Sequence, residues 1–312
     1  MRLWDICGTH GNTKHKRTTK MRTKTLLLGV AAALAVGLTA SQAQTVYSQN
    51  VVGYINVTVP GSGFAEVANQ LINGSDVNQS NNDINVVFGT GLISDQQVPG
   101  NGSNAVFLAW NNVLGSFQKY YYYNQSDASN AYNNVNINGS TPGWYDIGGN
   151  NVSASYPPGT SGFLNDVSAS PMTVTMVGTV VQGTNTVGAG PVPVVGFAFL
   201  SLPQPISTNV DVAGYGLPGS LLTSDNNVPG NGTNDVLLTW NGSSYIKFYY
   251  YNSSDANIAY NNVNINASTP GFYDIGGNPM GPPLTAFPTA GQGFVLEHTG
   301  TPFTWTNIFL VQ

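Results

Sequence analysis

The chain has 312 residues, of which 7% are charged and 41% hydrophobic, and it contains 37 glycines. So little positive charge excludes the Lys/Arg footprint that nucleic-acid binding needs. The abundance of Asn, Ser, Thr and Gly points to a neutral polar surface, and the length suits one large domain or two ordinary ones.

Met21–Ala43 reads as an export signal. Arg22 and Lys24 form a short basic region, Leu26–Leu38 an uncharged apolar core, and Ser41 and Ala43 the small residues before a cleavage site. The apolar run is short of the roughly 20 residues of a spanning helix. Residues 1–20 read as an upstream extension, with Met21 the expected start. A mature chain from Gln44 keeps two lysines, Lys119 and Lys247, against thirteen acidic residues, a net charge of −11. It retains one histidine, His298, and neither arginine nor cysteine, so no disulfide braces it. The expected location is secreted, periplasmic or at the outer cell surface.

In chain order, strands are expected at Val51–Val59, Ala65–Asn69 and Asn85–Phe88, where β-branched and aromatic residues run between turns. An internal repeat then dominates. VPGNGSNAVFLAW at Val98–Trp110 returns as VPGNGTNDVLLTW at Val228–Trp240, 130 positions on, and Tyr120–Asn150 returns as Phe248–Asn278, 128 on. GTSGF at Gly159–Phe163 aligns with AGQGF at Ala290–Phe294, 131 on, and Gly63-Phe64 with Gly196-Phe197, 133 on. Collinear matches across both halves mean two copies of one unit.

The repeat contains a hairpin, clearest in Val236–Trp240 and Tyr245–Tyr251 around an Asn241–Ser244 turn. Alternation puts Tyr245, Lys247, Tyr249 and Tyr251 on one face and Ile246, Phe248 and Tyr250 on the other. The tyrosine hydroxyls of the first face are expected near water. Asp127–Tyr132 and Asp255–Tyr260 each predict one helical turn capped by the aspartate. Further strands are expected at Met172–Val181, Val194–Leu200, Gly293–Leu296 and Thr304–Val311, and Gly183–Pro191 reads as a patternless junction. The fold expectation is all-β: two tandem homologous β-sandwich or compact β-barrel domains, 44–182 and 183–312, each folding on its own after residues 1–43.

Lys119 and Lys247 occupy equivalent positions, as do Asp127 with Asp255 and Asp146 with Asp274. A structural pair of each lysine with one of those aspartates is the leading reading. Trp110, Trp144 with Tyr145 and Asp146, Trp240, and Tyr273 with Asp274 are ligand candidates, because aromatics beside a carboxylate can hold a sugar. Core packing is the competing and better reading of the 143–146 and 271–274 motifs. Asp225, Asn227 and Asp235, with Asp76 and Asp83 as a second group, are weak calcium candidates without the spacing of an EF-hand. Turn stabilisation is the default for them, and no other cofactor is implied. No nucleophile–base motif accompanies the single histidine, and nothing in the spacing favours a carboxylate-pair hydrolase through Asp146, Asp166 or Asp274.

Asn50–Pro60 (NVVGYINVTVP) with Gly63-Phe64, the Val177–Gly183 segment, Trp240-Asn241-Gly242 and the Gly291–Phe294 turn together resemble a group of uncharacterised secreted proteins of Verrucomicrobia-type bacteria. The resemblance spans most of the mature chain. It implies export and tandem β domains, and no activity or functional residue. The function expected is a secreted or cell-surface structural or interaction protein contacting matrix or polysaccharide, without a catalytic centre. A carbohydrate-binding tandem module is the alternative, and an extracellular hydrolase the remote one.

Overall fold

Short runs of β-branched and aromatic residues, divided by Gly- and Asn-rich turns, give a predominantly β chain. The computed structural model describes residues 51–73, 82–187, 196–205, 219–280 and 289–309. The first copy holds strands β1 (Val52–Val59), β2 (Gly63–Ala68), β3 (Leu71–Ile72), β4 (Val106–Asn111), β5 (Ser116–Tyr123), β6 (Gly143–Tyr145), β7 (Ser161–Asp166) and β8 (Met172–Val180). The second holds β9 (Gly183–Thr186), β10 (Gly196–Leu200), β11 (Val236–Trp240), β12 (Tyr245–Tyr251), β13 (Gly271–Tyr273), β14 (Phe294–His298) and β15 (Thr306–Phe309).

These strands form four open sheets. Two have five strands and the same plan: β2-β7-β4-β5-β6 and β10-β14-β11-β12-β13. A three-stranded sheet, β1-β8-β3, accompanies the first, and the short pair β9-β15 flanks the second in chain order as β1 and β8 flank the first. Gly183–Thr186, read from sequence as patternless junction, is therefore a paired strand.

The ladders correct the alignment of the copies. Leu108 pairs with Phe163, whereas Leu238 pairs with Val295. Phe163 thus corresponds to Val295, at an offset of 132, and Gly162 to Phe294. A one-residue slip exchanges the faces of a strand, so the shared Gly-Phe letters are out of register. The swap has a packing reason. A Cβ on Gly162 would lie 2.7 Å from the Leu108 carbonyl oxygen and 2.9 Å from the Phe107 ring. Phe107 fills that space in the first copy; the second has the smaller Leu237 and supplies its ring from Phe294, both buried in the second core.

One face of the first five-stranded sheet (Val67, Phe107, Tyr122, Trp144, Leu164) shares a buried cluster with Ile55, Leu71 and Met176 of the three-stranded sheet. The second copy buries Phe248, Tyr250, Phe272 and Leu296 with Trp305. Removing such apolar surface from water, at roughly 25 cal/mol per Å², is what stabilises each layer.

Helix α1 (Ile84–Val87) replaces the strand expected at Asn85–Phe88. Asp83 caps it by accepting the Asn85 N–H at 2.8 Å, and Ile84 and Val87 turn inward. That capping bond outweighs the β propensity of the valines. Helices α2 (Gln125–Asn133) and α3 (Ser253–Asn261) are also longer than the single turns predicted. Their caps are Asn124 and Asn252, not the aspartates: each asparagine accepts the N–H of Asp127 or Asp255 and donates its own amide to that carboxylate, at 2.8 and 2.7 Å. The reciprocal bond follows the capping-box pattern.

Residues Asn50–Gln312 form one compact unit. Backbone bonds join the copies: Ser201 N–H to the Gly159 carbonyl at 2.7 Å, and Ala68 N–H to that of Gly291 at 2.9 Å. The remaining faces of the two five-stranded sheets meet through aromatic rings. Trp110 packs on Phe197 and Phe199 of β10, with centroids 6.2 and 5.2 Å apart, while Trp240 meets Phe163 at 5.3 Å.

Candidate functional site

Each tryptophan lies at the end of its hairpin strand, Trp240 last in β11 and Trp110 one before the last in β4, and reaches the edge strand of the other copy. At one corner, Trp110 covers Phe199. At the other, the Trp240 indole N–H donates to the Phe64 carbonyl at 3.2 Å. The residue matching Phe199, at the 133 offset, is Glu66. Where the first corner has a ring, the second has a carboxyl, and here a cleft of about 280 Å³ opens, lined by Asn56, Thr58, Phe64, Glu66, Trp240 and Gln292 among others.

Glu66 is only 4% exposed. Its Oε1 accepts the Ser161 hydroxyl at 3.1 Å, while Oε2 is buried with no partner. Burial pushes the carboxyl up to about 8, against the lesser downward pull of the Ser161 bond. Glu66 is therefore a neutral acid at pH 7, with an unspent hydrogen-bonding oxygen. The Tyr245 hydroxyl nearby is also buried and unpaired; burial, then the Glu66 charge, makes it harder to ionise than a free tyrosine. Gly293 lets the copies approach closely beside the cleft, because a Cβ there would lie 2.1 Å from that of Ser161 and 3.1 Å from Glu66 Oε1. Gln292 crosses the rim, its amide donating to the Trp240 carbonyl at 3.3 Å.

No protein-family model matches the chain, and no curated protein or solved structure matches it either. The site therefore rests on its own geometry.

The other ligand candidates lie elsewhere. Trp144, Tyr145 and Tyr273 are fully buried, which corrects the ligand reading in favour of packing. The Trp144 indole donates to the Ile84 carbonyl at 3.3 Å, and the Tyr145 hydroxyl to that of Thr141 at 2.6 Å. Asp146 and Asp274 each close a turn by accepting the backbone N–H of Asn150 or Asn278, at 2.9 and 2.8 Å. Burial pulls the Asp146 carboxyl upward, but the Asn150 bonds hold it below the usual range. Trp110 is half-buried in the join, its indole nitrogen buried without a partner. The tyrosine hydroxyls expected near water instead donate to loop carbonyls: Tyr123 to Gln97 and Tyr251 to Asn227, both at 2.5 Å.

The lysine pairs are also corrected. Among the described residues, the ion pair present is His298–Asp235, and neither Lys119 nor Lys247 has a carboxylate within 4.0 Å. Both lysines are exposed at the mid-strand of their hairpins, opposite Leu108 and Leu238. Asp127 and Asp255 are held by their caps and Asp146 and Asp274 by their turns.

The calcium candidates spend their oxygens on donors. Asp225 accepts the N–H of Asn227 at 2.9 Å and both the N–H and the hydroxyl of Thr233. Burial pulls that carboxyl upward, but these bonds hold it low. Asn227 itself gives its backbone N–H to Asp225 and its carbonyl to Tyr251. Asp83 accepts from Asn85 and from the Ser153 hydroxyl. Asp235 accepts the N–H groups of Thr223 and Thr299, at 2.9 and 2.8 Å, and meets His298 Nδ1 at 2.7 Å. Among the described residues no three His, Cys, Asp or Glu side chains converge as metal ligands. Asp76 lies outside the described residues.

His298 and Asp235 are both fully buried. Nε2 of the ring lies 2.8 Å from the Thr301 carbonyl oxygen, which only accepts, so Nε2 carries a hydrogen. The second hydrogen lies between Nδ1 and the carboxylate. The pair resembles the base and orienting acid of a triad, but the nitrogen that would face a nucleophile is committed to the backbone. Its role is to tie β14 to the loop before β11.

Sequence reasoning missed Glu66 and this pair. The signals were present: GFAE stands where the second copy has GFAF, and Asp235 and His298 match Ala105 and Asp166.

Proposed function

We propose that this is an exported, non-catalytic interaction protein that contacts matrix or polysaccharide through the cleft between its two copies. The observation that carries it is the Trp240 corner. Among the ligand candidates, Trp240 lines an open cavity, and it does so with a second ring, Phe64, and the polar side chains of Asn56, Thr58 and Gln292. An aromatic platform with a few polar groups is the general chemistry of a site for a sugar. Export is supported by the basic, apolar and small-residue order of Met21–Ala43. We also take each copy as a two-layer β-sandwich, supported in the first by the core its two sheets share. A hydrolase reading needs two carboxylates about 5–9 Å apart across the bond; the cleft lining holds one carboxyl, Glu66.

The test is affinity electrophoresis of the mature chain through gels containing neutral polysaccharides. Retardation in at least one gel is expected, lost in Trp240→Ala with near-UV circular dichroism otherwise preserved. Equal mobility of wild type and variant in every gel rejects the reading. A purely structural role is the second reading, favoured by the internal commitment of the tyrosine hydroxyls and loop carboxylates.

A further inference from the structure

We propose that the polymer held in the cleft leaves it along the outer face of β1 and stacks a further unit on Tyr54. The inference rests on the cleft reading above. It adds a second aromatic platform, a ligand several units long and a neutral ligand class.

Alternation along β1 turns Tyr54, Asn56 and Thr58 to one face, and all three are exposed. Asn56 and Thr58 line the cleft. Tyr54 therefore stands one step beyond its rim, about 7 Å further along the strand. From Thr58 to Tyr54 the track runs about 14 Å, longer than one sugar ring. Pairing with β8, unbroken from Val52 to Val59, holds the three side chains in line.

Tyr54 stands apart from the tyrosines of the hairpins. Tyr122, Tyr123, Tyr250 and Tyr251 are buried, whereas Tyr54 is 71% exposed. Among the described residues its ring meets no other ring and its hydroxyl has no partner. A tyrosine on a paired strand offers a large amphipathic surface at low entropic cost. The polar groups beside it are open as well. Asn56 Oδ1 accepts the Thr175 hydroxyl at 2.7 Å, which orients the side chain and leaves its amide N–H groups free to donate. The Thr58 hydroxyl has no partner among the described residues.

The track carries no charge: the residues paired with Thr58, Asn56 and Tyr54 are Thr173, Thr175 and Val177. The mature chain, with two lysines against thirteen acidic residues, repels polyanions. Rings interleaved with uncharged donors and acceptors fit a neutral sugar chain. An added peptide strand fits less well. The turn at Gly291 lies against Ile55 and Val57 on the other face of β1, where a Cβ would come within 2.6 and 2.7 Å of their side chains. A strand paired along this edge would need that space for its own inward side chains.

The experiment is calorimetric titration of the mature chain with neutral glucose-, xylose- and N-acetylglucosamine-based di- and hexasaccharides. Hexagalacturonate serves as the charged probe and hexathreonine as the extended peptide. We expect a neutral hexasaccharide to bind about tenfold tighter than its disaccharide, the scale of one added aromatic contact. Tyr54→Ala should remove that gain and leave disaccharide binding unchanged, Tyr54→Phe should keep it, and Trp240→Ala should weaken both ligands. Equal hexasaccharide affinity in wild type and Tyr54→Ala, with binding lost in Trp240→Ala, overturns the Tyr54 platform and leaves the cleft reading standing. Preference for hexagalacturonate overturns the neutral-ligand assignment. Hexathreonine bound in place of every saccharide overturns both readings in favour of strand addition. No binding of any probe at millimolar concentration also overturns both.

Discussion

The two corners where the copies meet are built from equivalent strands and differ in the side chains those strands present. At the Trp110 corner, Phe199 packs edge-on against Phe117, whose ring centroid lies 5.0 Å away. At the Trp240 corner, Glu66 takes that place and a cleft remains. Duplication gave the protein two junctions, and they differ in Phe199 against Glu66, Phe117 against Tyr245 and Phe163 against Val295. The rest of the repeat shows how strictly the shared parts are kept: Asp95 in the first copy binds the Ser103 and Gln97 amides just as Asp225 binds those of Thr233 and Asn227.

The largest test of the comparison is pH. Glu66 rises from 4.5 to about 8 on folding, so between those values the folded chain holds a proton that the unfolded chain has lost. Stability from this group is greatest below about pH 4.5, falls through the window and stays low above about 8. Over the whole window the loss approaches about 5 kcal/mol, at roughly 1.4 kcal/mol per pH unit. Urea unfolding at pH 5 and pH 8 measures it. Glu66→Gln should flatten the slope, and Glu66→Phe, which copies Phe199, should flatten it and close the cleft. The loop carboxylates of Asp95, Asp146 and Asp225, all held low by hydrogen bonds that outweigh their burial, act below pH 3.8 and in the opposite sense.

The next test removes a device the first copy lacks. Asp235→Ala installs the residue found at Ala105, but strands the His298 ring and two backbone N–H groups. It should cost about 3–5 kcal/mol, read by denaturant unfolding. The double variant Asp235→Ala/His298→Leu should recover part of that loss; full independence of the two substitutions would show that the pair contributes no coupling.

Gly293→Ala probes the join itself. Its Cβ would sit 2.1 Å from that of Ser161, whose backbone lies in β7 and cannot yield cheaply. Overpacking of this kind costs about 1–3 kcal/mol. A variant as stable as wild type would show that the copies separate easily here.

The smallest effect is a gain. Val135 and Val263 follow helices α2 and α3 at positive φ, 63° and 62°. Both are about nine-tenths exposed, so packing offers no compensation. The Asn136 and Asn264 N–H groups reach back to the Ala131 and Ala259 carbonyls, at 2.9 Å each, in the helix-ending turn that glycine favours. Val135→Gly and Val263→Gly should each raise stability by about 1 kcal/mol, measured as a shift in the urea midpoint. Stabilisation in one copy only would break the equivalence of the two caps.

The sequence by itself determined the repeat, the hairpin Val236–Trp240 with Tyr245–Tyr251, and the two faces of β12, because strand alternation and turn chemistry are local. It also held the sign of Glu66 against Phe199, since the mismatch lies in one aligned letter. Tertiary structure decided the rest. The Gly159–Phe163 alignment failed because register is set by which strand lies alongside, and the Phe107–Gly162 and Leu237–Phe294 exchanges conserve volume between strands, not letters along them. The lysine pairs failed because a capping asparagine or a turn amide a few residues away reaches an aspartate at less entropic cost than a lysine from a distant strand. The cleft was invisible for the same reason: Glu66, Trp240 and Gly293 are brought together by the packing of one copy on the other, and no spacing along the chain encodes that contact.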